Sequence, residues 1–379
     1  MNIYKIFSNV KDPRNNRGKR YNLAAVLRLI TVGLLSNFNS LASIARFGKS
    51  LNKKQVKILG FGRGTVPCHS NLTLILRRID PESLAESMLA LINKIANRDE
   101  RFRILRIDGK YLRGSNCFGK KQQSHILKAF NDHFNAVYAY KEIENRDEFS
   151  SFLQLLGSID VTGKIITADA AFAHQEACEV ATQKGANFAF SLKKNEANLY
   201  YHTEEKFKQI DARLANGVKS AEMLSFSENI DSQHGRIEQR KIDVIQMPFE
   251  YLNGHRQIKQ ICRITRYRER KNIENSANIE VAYMITSLSK EEYSPEKLLS
   301  LNRGHWSCEN NLNWVKDVVF QEDKSTISMD NAPIVTSLLR SFAMAIINTV
   351  SRKIKETREA FIMNFQKMLK TFATISGDF

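Results

Sequence analysis

The 379-residue sequence predicts an α/β fold: a mixed sheet flanked by helices, preceded by an all-helical module and interrupted by a mostly antiparallel β insertion. Three patterns predict it. Apolar residues recur at helical spacing over the first hundred residues, and from Arg101 short apolar strands alternate with helical segments. Between residues 195 and 289, β-leaning stretches are separated by turn pairs such as His-Gly and Asn-Gly. The expected divisions are 1–99 (helical module), 100–194 (first part of the sheet), 195–290 (insertion) and 291–379 (second part, with C-terminal helices). With 42% hydrophobic residues, a chain of this length can close substantial cores.

The helical module reads LAAVLRLITVGLLSNF, SLASIARFGKS, SNLTLILRRI and PESLAESMLALINKIAN, the last opening on Pro81 at a first-turn position. From Arg101, RFRILRID, SHILKAFN and NAVYAYKEI read as strands, DEFSSFLQLLGSI as a helix and KIITAD as a strand. AHQEACEVATQK, closed by Gly185, reads as a helix and NFAFSLK as a strand. The order βββαβαβ, followed by a helix through Glu309, is that of a ribonuclease-H-like fold, in which the first and fourth strands are neighbours. The insertion contributes RIEQRKIDVIQM, QIKQICRITRYRE and NIEVAYMITSL as antiparallel strands, and residues 332–372 are again helical.

Lys and Arg number 57 against 40 Asp and Glu, a net charge of +17. A protein this basic takes a polyanion as partner, DNA or RNA by default. The segment KDPRNNRGKRYN gathers Lys11, Arg14, Arg17, Lys19 and Arg20 around turn formers, which suits phosphate contacts or a solvated arm equally. Cys68, Cys117, Cys178, Cys262 and Cys308 form no CxxC pair and have no His at zinc spacing, so they read as reduced thiols of a cytosolic protein. The N-terminus carries no apolar leader, and the most apolar stretch, residues 23–38, is interrupted by Arg28 and shorter than the ~20 residues of a membrane span. The expectation is a cytoplasmic protein with no membrane association.

Three acids carry the chemistry. Asp108 in RILRIDGKYLRGS and Asp169 in KIITADAAFAHQ each end an apolar run, and Glu309 lies in RGHWSCENNLNWVKD, a segment with helical spacing. Singly, each has an ordinary explanation: an Asp-Gly turn for Asp108, a helix cap for Asp169, a solvated surface for Glu309. Jointly they offer three carboxylates to one place. Mg²⁺ takes oxygen ligands, and two ions about 3.5–4 Å apart can activate a water or a 3′-hydroxyl while stabilising the leaving oxygen of a phosphodiester. Asn302, His305, Glu309 and Lys316 are spaced to share one helix face. Glu322 and Asp323 are rival third acids, ranked lower because neither has a Lys seven residues on.

Five segments together resemble the DDE-class insertion-sequence transposases of the H-repeat-associated type: DPRNNRGKRYNL, IDGKYLRGS, DAAFAHQ, HGRIEQR (residues 234–240) and RGHWSCENNLNWVKDVVFQED. The resemblance implies that Asp108, Asp169 and Glu309 are the metal-binding triad of a ribonuclease-H-like domain with a β insertion between the second and third acids. It implies two Mg²⁺ ions, with Mn²⁺ able to substitute, cleavage at the terminal inverted repeats, and attack of the freed 3′-hydroxyl on target DNA. Synapsis of two ends implies a homodimer on double-stranded DNA in the bacterial cytoplasm, associated with the nucleoid. Relatives carry a Tyr-Arg-Glu-Lys signature around the third acid; here Lys316 matches the Lys, while Asn302 and His305 stand at the Tyr and Arg positions.

The expected DNA contacts are basic residues near these acids. Lys110 and Arg113 follow Asp108, Arg303 adjoins His305, and Arg236 and Arg240, an even number apart on a strand, face one side. His305 and Lys316 complete the set. Trp306 and Trp314 flank Glu309; core packing is preferred for them over stacking on a splayed base. Two other readings remain: a catalytically inactive DNA-binding protein derived from a transposase, and a ribonuclease-H-like nuclease without strand transfer.

Overall fold

The computed structural model describes residues 3–96, 103–113, 124–131, 136–143, 145–218, 223–232, 236–246, 255–270, 277–305 and 312–374. It is a mixed α/β structure whose nine strands pair mostly antiparallel, and it divides into two compact units. The first gathers Met1–Phe102, Asp108–Ser151 and Ser307–Phe379; the second gathers Arg103–Ile107 and Phe152–Trp306. Strand β1 (Ile104–Tyr111) contributes to both.

Two helices buried on every face form the centre of the first unit. In α1 (Leu23–Leu35) every residue is buried, and Asn22 caps the start by accepting the Ala25 amide. The later helix Ala332–Asn348, buried throughout but for its last residue, packs against α1. Around this pair stand α2 (Leu41–Ser50) and α3 (Lys53–Ile58), each opened by a capping box, with α4 (His69–Leu76) and α5 (Pro81–Ala96). Hairpin β2 (His125–Asn131) and β3 (Ala136–Glu142) pairs antiparallel with an irregularity at Ala129/Phe130, and β2 is hydrogen-bonded to β1. Buried Arg28 ties the N-terminal turn to the module by donating to the carbonyls of Leu59, Tyr4 and Ile6 at 2.9, 2.9 and 3.0 Å. Burial lowers its guanidinium to about 10.

In the second unit the strand order is β1, β4 (Ile165–Ala168), β5 (Asn187–Leu192), β9 (Asn278–Thr286), β8 (Gln260–Arg270), β7 (Arg236–Gln246) and β6 (Met223–Ser232). β1, β4 and β5 run parallel, so the expected adjacency of first and fourth strands is present; from β5 outward every pair is antiparallel. The insertion extends the same run of strands, joined through β9.

Helix α6 (Glu148–Ser158) follows β3 in the chain, and α7 (Gln175–Gln183) ends at Gly185, whose φ of +75° suits the glycine closing predicted for it. α8 (Ala197–Ala215) opens the insertion with a helix that the β-leaning reading of that region did not foresee, and α3 was likewise missed in the helical module. α9 (Pro295–His305) presses Leu298, Leu299 and Leu301 onto Ile165, Ala189, Ile242, Val244, Cys262, Ile264 and Met284. Burying such side chains contributes about 1.5–3 kcal/mol each as an upper estimate. The remaining helices, α10 (Trp314–Val318), α11 (Ala332–Asn348), α12 (Ile354–Met363) and α13 (Phe365–Thr374), belong to the first unit.

Candidate functional site

In the first unit, Asp108 lies within β1, which continues through Gly109 to Tyr111, so the Asp-Gly pair forms no turn. Asp108 is half-buried, and Asn313 donates from Nδ2 to its Oδ2 at 3.2 Å. Lys110, two residues on and therefore on the same side of the strand, donates to Asp317 at 2.6 Å and Glu322 at 3.0 Å. Glu322 is buried and stands 2.9 Å from Lys316 and 3.9 Å from Arg340, while Lys316 also donates to the Ser337 hydroxyl at 2.7 Å. Lys128, wholly buried on β2, adds its charge to the group.

The electrostatics follow from this crowding. Burial alone would raise the Glu322 carboxyl, but Lys316, then Lys128, Lys110 and Arg340, hold it well below its ordinary value. Burial drives the Lys316 ammonium down, Glu322 opposing and Lys128 and Lys110 reinforcing. Lys110 is pushed the other way: Glu322 and Asp317 overcome its burial and raise it. Glu322 is thus ion-paired through both oxygens, with Lys316 and Arg340 on one and Lys110 on the other. Lys316, expected at the DNA, points into the core, and Lys110 is held by two acids. Arg113 remains at the surface, its side chain 76% exposed and 3.5 Å from Asp323. Trp314, expected in the core, is 57% exposed. Trp306 and Glu309 lie outside the described residues, as do residues 306–311 generally, so the shared helix face of Asn302, His305, Glu309 and Lys316 is followed only to His305, where α9 ends.

In the second unit, Ile107 and Ala168 are the last register partners of β1 and β4; Asp108 is the next residue of one segment and Asp169 of the other. Asp169 occupies the N-cap position of a 3-10 turn, Ala170–Phe172, yet makes no capping hydrogen bond, and its side chain is 59% exposed. Capping therefore does not account for it. His305, the last residue of α9, bridges inward: Nδ1 stands 3.0 Å from Thr167 Oγ1, and Nε2 stands 3.7 Å from Asp169 Oδ1. Burial lowers its pKa to about 4, Asp169 opposing and Arg106 reinforcing, so the imidazole is neutral at neutral pH. With Asn302, Thr167, Ala168, Ser191 and Met284 it lines a small cleft. Buried Arg106 donates to the Leu301 carbonyl at 3.1 Å and lies against Gly304, where an added Cβ would strike its guanidinium.

The other expected contacts differ in freedom. Arg303 is exposed but ion-paired with Glu228 at 2.9 Å, and Arg240 donates to Glu238. Arg236 is on β7 opposite Arg270, its side chain outside the described residues. In the N-terminal arm, Arg14 is buried, donating to Asp12 and, at 2.7 Å, to the Tyr21 carbonyl, whereas Lys11, Arg17, Lys19 and Arg20 are exposed. Asn313, Lys128, Arg106 and Glu238 were not singled out from sequence; a lone Lys inside the apolar run HILKAFN was the one available signal.

Among the described residues no group of three His, Cys, Asp or Glu side chains is arranged to hold a metal ion, and no helix is long and apolar enough to cross a membrane. Asp108 and Asp169 nonetheless present carboxylate oxygens, the donors a hard divalent cation takes. Described cysteines Cys68, Cys178 and Cys262 are unpaired by disulfides.

Residues 101–344 match the family model described as "Transposase DDE domain", and residues 4–92 match "DDE_Tnp_1-associated". Among curated proteins, the chain is 26% identical over 347 residues to "H repeat-associated putative transposase YhhI" of Escherichia coli K12, covering 89% of this chain and 88% of that one. It is 23% identical over 363 residues to "Putative transposase YncI" of Escherichia coli O157:H7, covering 94% and 90%. A cryo-EM structure of a piggyBac transposase synaptic complex with hairpin DNA aligns with a TM-score of 0.40 at 10% identity, covering 100% of this chain and 79% of that one.

Proposed function

The chain belongs to the DDE-type insertion-sequence transposases, and on that premise we propose that it cuts DNA at the ends of a mobile element and joins the freed 3′-hydroxyls to target DNA. The observation that carries this reading is the register of β1 and β4: Asp108 and Asp169 each follow directly on the last paired residues of adjacent parallel strands. Asp169 is exposed and has no capping duty, consistent with a carboxylate kept for a ligand. A ribonuclease-H-like catalytic core fits this strand order, with the helical module and the insertion handling DNA.

In this reading Asp108, Asp169 and Glu309 hold two Mg²⁺ ions, Mn²⁺ being able to substitute. Bound there, the ions supply Lewis-acid activation of the attacking oxygen and stabilise the leaving one. The surrounding side chains orient the acids. Asn313 fixes Asp108 through its amide, and neutral His305 stands against Asp169 without neutralising it. Lys110 and Lys316 serve through Glu322, and Lys110 also holds Asp317 of α10, whereas Arg113, Arg236, Arg240 and Arg303 supply phosphate contacts. Bringing two ends together calls for a homodimer on terminal inverted repeats, acting in the cytoplasm at the nucleoid.

The test is incubation of the purified protein with linear DNA bearing the inverted repeats that flank its gene, in Mg²⁺ or Mn²⁺, beside Asp108→Ala, Asp169→Ala and Glu309→Ala. The expected result is end-specific nicking and joined products, each lost in all three variants. Binding without metal-dependent cleavage would instead identify an inactive DNA-binding descendant, and cleavage without joining a nuclease.

A further inference from the structure

The motif HGRIEQR places Glu238 between Arg236 and Arg240 with one residue between each, so on β7 all three belong to one face. Register extends that face across four strands. Arg240 lies opposite Glu228 of β6 and Arg266 of β8; Glu238 lies opposite Arg268; and Arg266 lies opposite Glu280 of β9. Nearer the core the same face carries Ile242, Val244, Cys262, Ile264 and Met284 under α9, from which Arg303 reaches Glu228.

The charged part is a ladder made of one separate ion pair and one linked cluster. Arg303 meets both Glu228 oxygens at 2.9 and 3.1 Å. Arg240 donates to Glu238, which also takes Arg266 bidentately at 3.0 and 3.1 Å. Arg268 donates to Glu280, and Arg266 stands 3.9 Å from the same carboxylate. Four arginines thus face three glutamates, leaving the patch positive on a protein of charge +17.

Sheet stability does not require the outer pairs of this array, Arg303–Glu228 and Arg268–Glu280, since exposed ion pairs add little and β-branched residues suit the positions. The guanidinium fork, however, matches carboxylate and phosphate oxygens alike. We infer that this face docks the phosphate backbone of duplex DNA and that Glu228, Glu238 and Glu280 stand in the phosphates' places until it arrives, acting as specificity-determining residues. A duplex meeting the ladder alone exchanges one set of anions for another and gains little. A duplex held also at the catalytic acids can complete the exchange. Non-specific DNA is thereby disfavoured relative to element ends. The inference rests on the DNA-cutting reading proposed above.

The test is fluorescence anisotropy of short duplexes, one carrying the terminal repeat and one of scrambled sequence, titrated with wild type, Glu280→Gln, Glu238→Gln and Arg268→Ala at several salt concentrations. Glu280→Gln is the milder change, since that side chain is 50% exposed; unfolding midpoints check that each variant folds. Each Gln variant is expected to bind scrambled duplex about tenfold more tightly, with a salt slope steeper by about 0.9 and a smaller preference for the repeat. Arg268→Ala should weaken both duplexes. Scrambled-duplex binding that is unchanged or weaker in both Gln variants overturns the inference while leaving the DNA-cutting reading intact. Failure of wild type to bind either duplex at low salt overturns both.

Discussion

A buried carboxylate among cations stabilises only while every partner remains, and Glu322 is placed that way, with Lys110 and Lys316 within 3.0 Å and Arg340 beyond. Replacing it by Ala or Gln leaves buried positive charge uncompensated. Glu322→Ala and Glu322→Gln are each expected to lower unfolding free energy by about 3–5 kcal/mol, read by urea denaturation; a loss near zero would show that water reaches the ammonium groups. The pH response has a definite sign. The Glu322 carboxyl titrates in the folded state well below its ordinary 4.5, so its contribution is complete above that value and fades as acid is added. His305 is lowered from 6.5 to about 4, so its contribution is complete above pH 6.5 and is lost between there and about 4. His305→Asn should make the decline below pH 6.5 in a stability-against-pH curve shallower, leaving the part due to His125 and His255, whose burial lowers them too, and the more acidic loss. None of this was legible residue by residue. Lys110 and Lys316 read as surface cations because their partners are set by the fold: Glu322 is 212 residues from Lys110.

The elements were more legible than their ends. Runs such as IITA and NFAFSL announced β4 and β5, and the pairing of β4 with β1 followed from the element order, whereas that of β4 with β5 was not read from it. β1 outran its expected end because Gly109 is accommodated in the strand: Glu148 and His125 lie where its Cβ would be. α8 escaped because its buried residues, Leu199, Thr203, Phe207 and Ile210, are sparse among charges. The seam between α9 and β1 depends on a different glycine. Gly304→Ala gains helix propensity of about 1 kcal/mol yet sets a methyl against the Arg106 guanidinium, which donates to the Leu301 carbonyl. Overpacking should prevail, and the variant is expected to be less stable by about 1–3 kcal/mol in chemical denaturation. A more stable variant would mean that Arg106 has room to withdraw.

At the scale of the whole molecule, sequence divisions and compact units part company. Residues 1–99 read as a helical module, yet they share a unit with Asp108–Ser151 and Ser307–Phe379, because α1 and α11 are mostly apolar, are buried on every side and pack against each other. Hydropathy shows that such helices need cover; it does not name the covering partner. The charge was legible at once, and it has a consequence for DNA binding. A protein making 6–10 phosphate contacts loses about 10³–10⁵ in affinity between 50 and 200 mM salt. With a charge of +17, a steep fall of this kind is expected for duplex DNA. The N-terminal arm permits the attribution to be tested. Arg17 and Lys19 are exposed, so Arg17→Ala and Lys19→Ala should each reduce the salt slope by about 1 without shifting the unfolding midpoint. Arg14 is buried on Asp12 and the Tyr21 carbonyl, so Arg14→Ala should lower the midpoint instead. If affinity proved flat in salt, the positive charge would be solvated surface and not the grip on DNA.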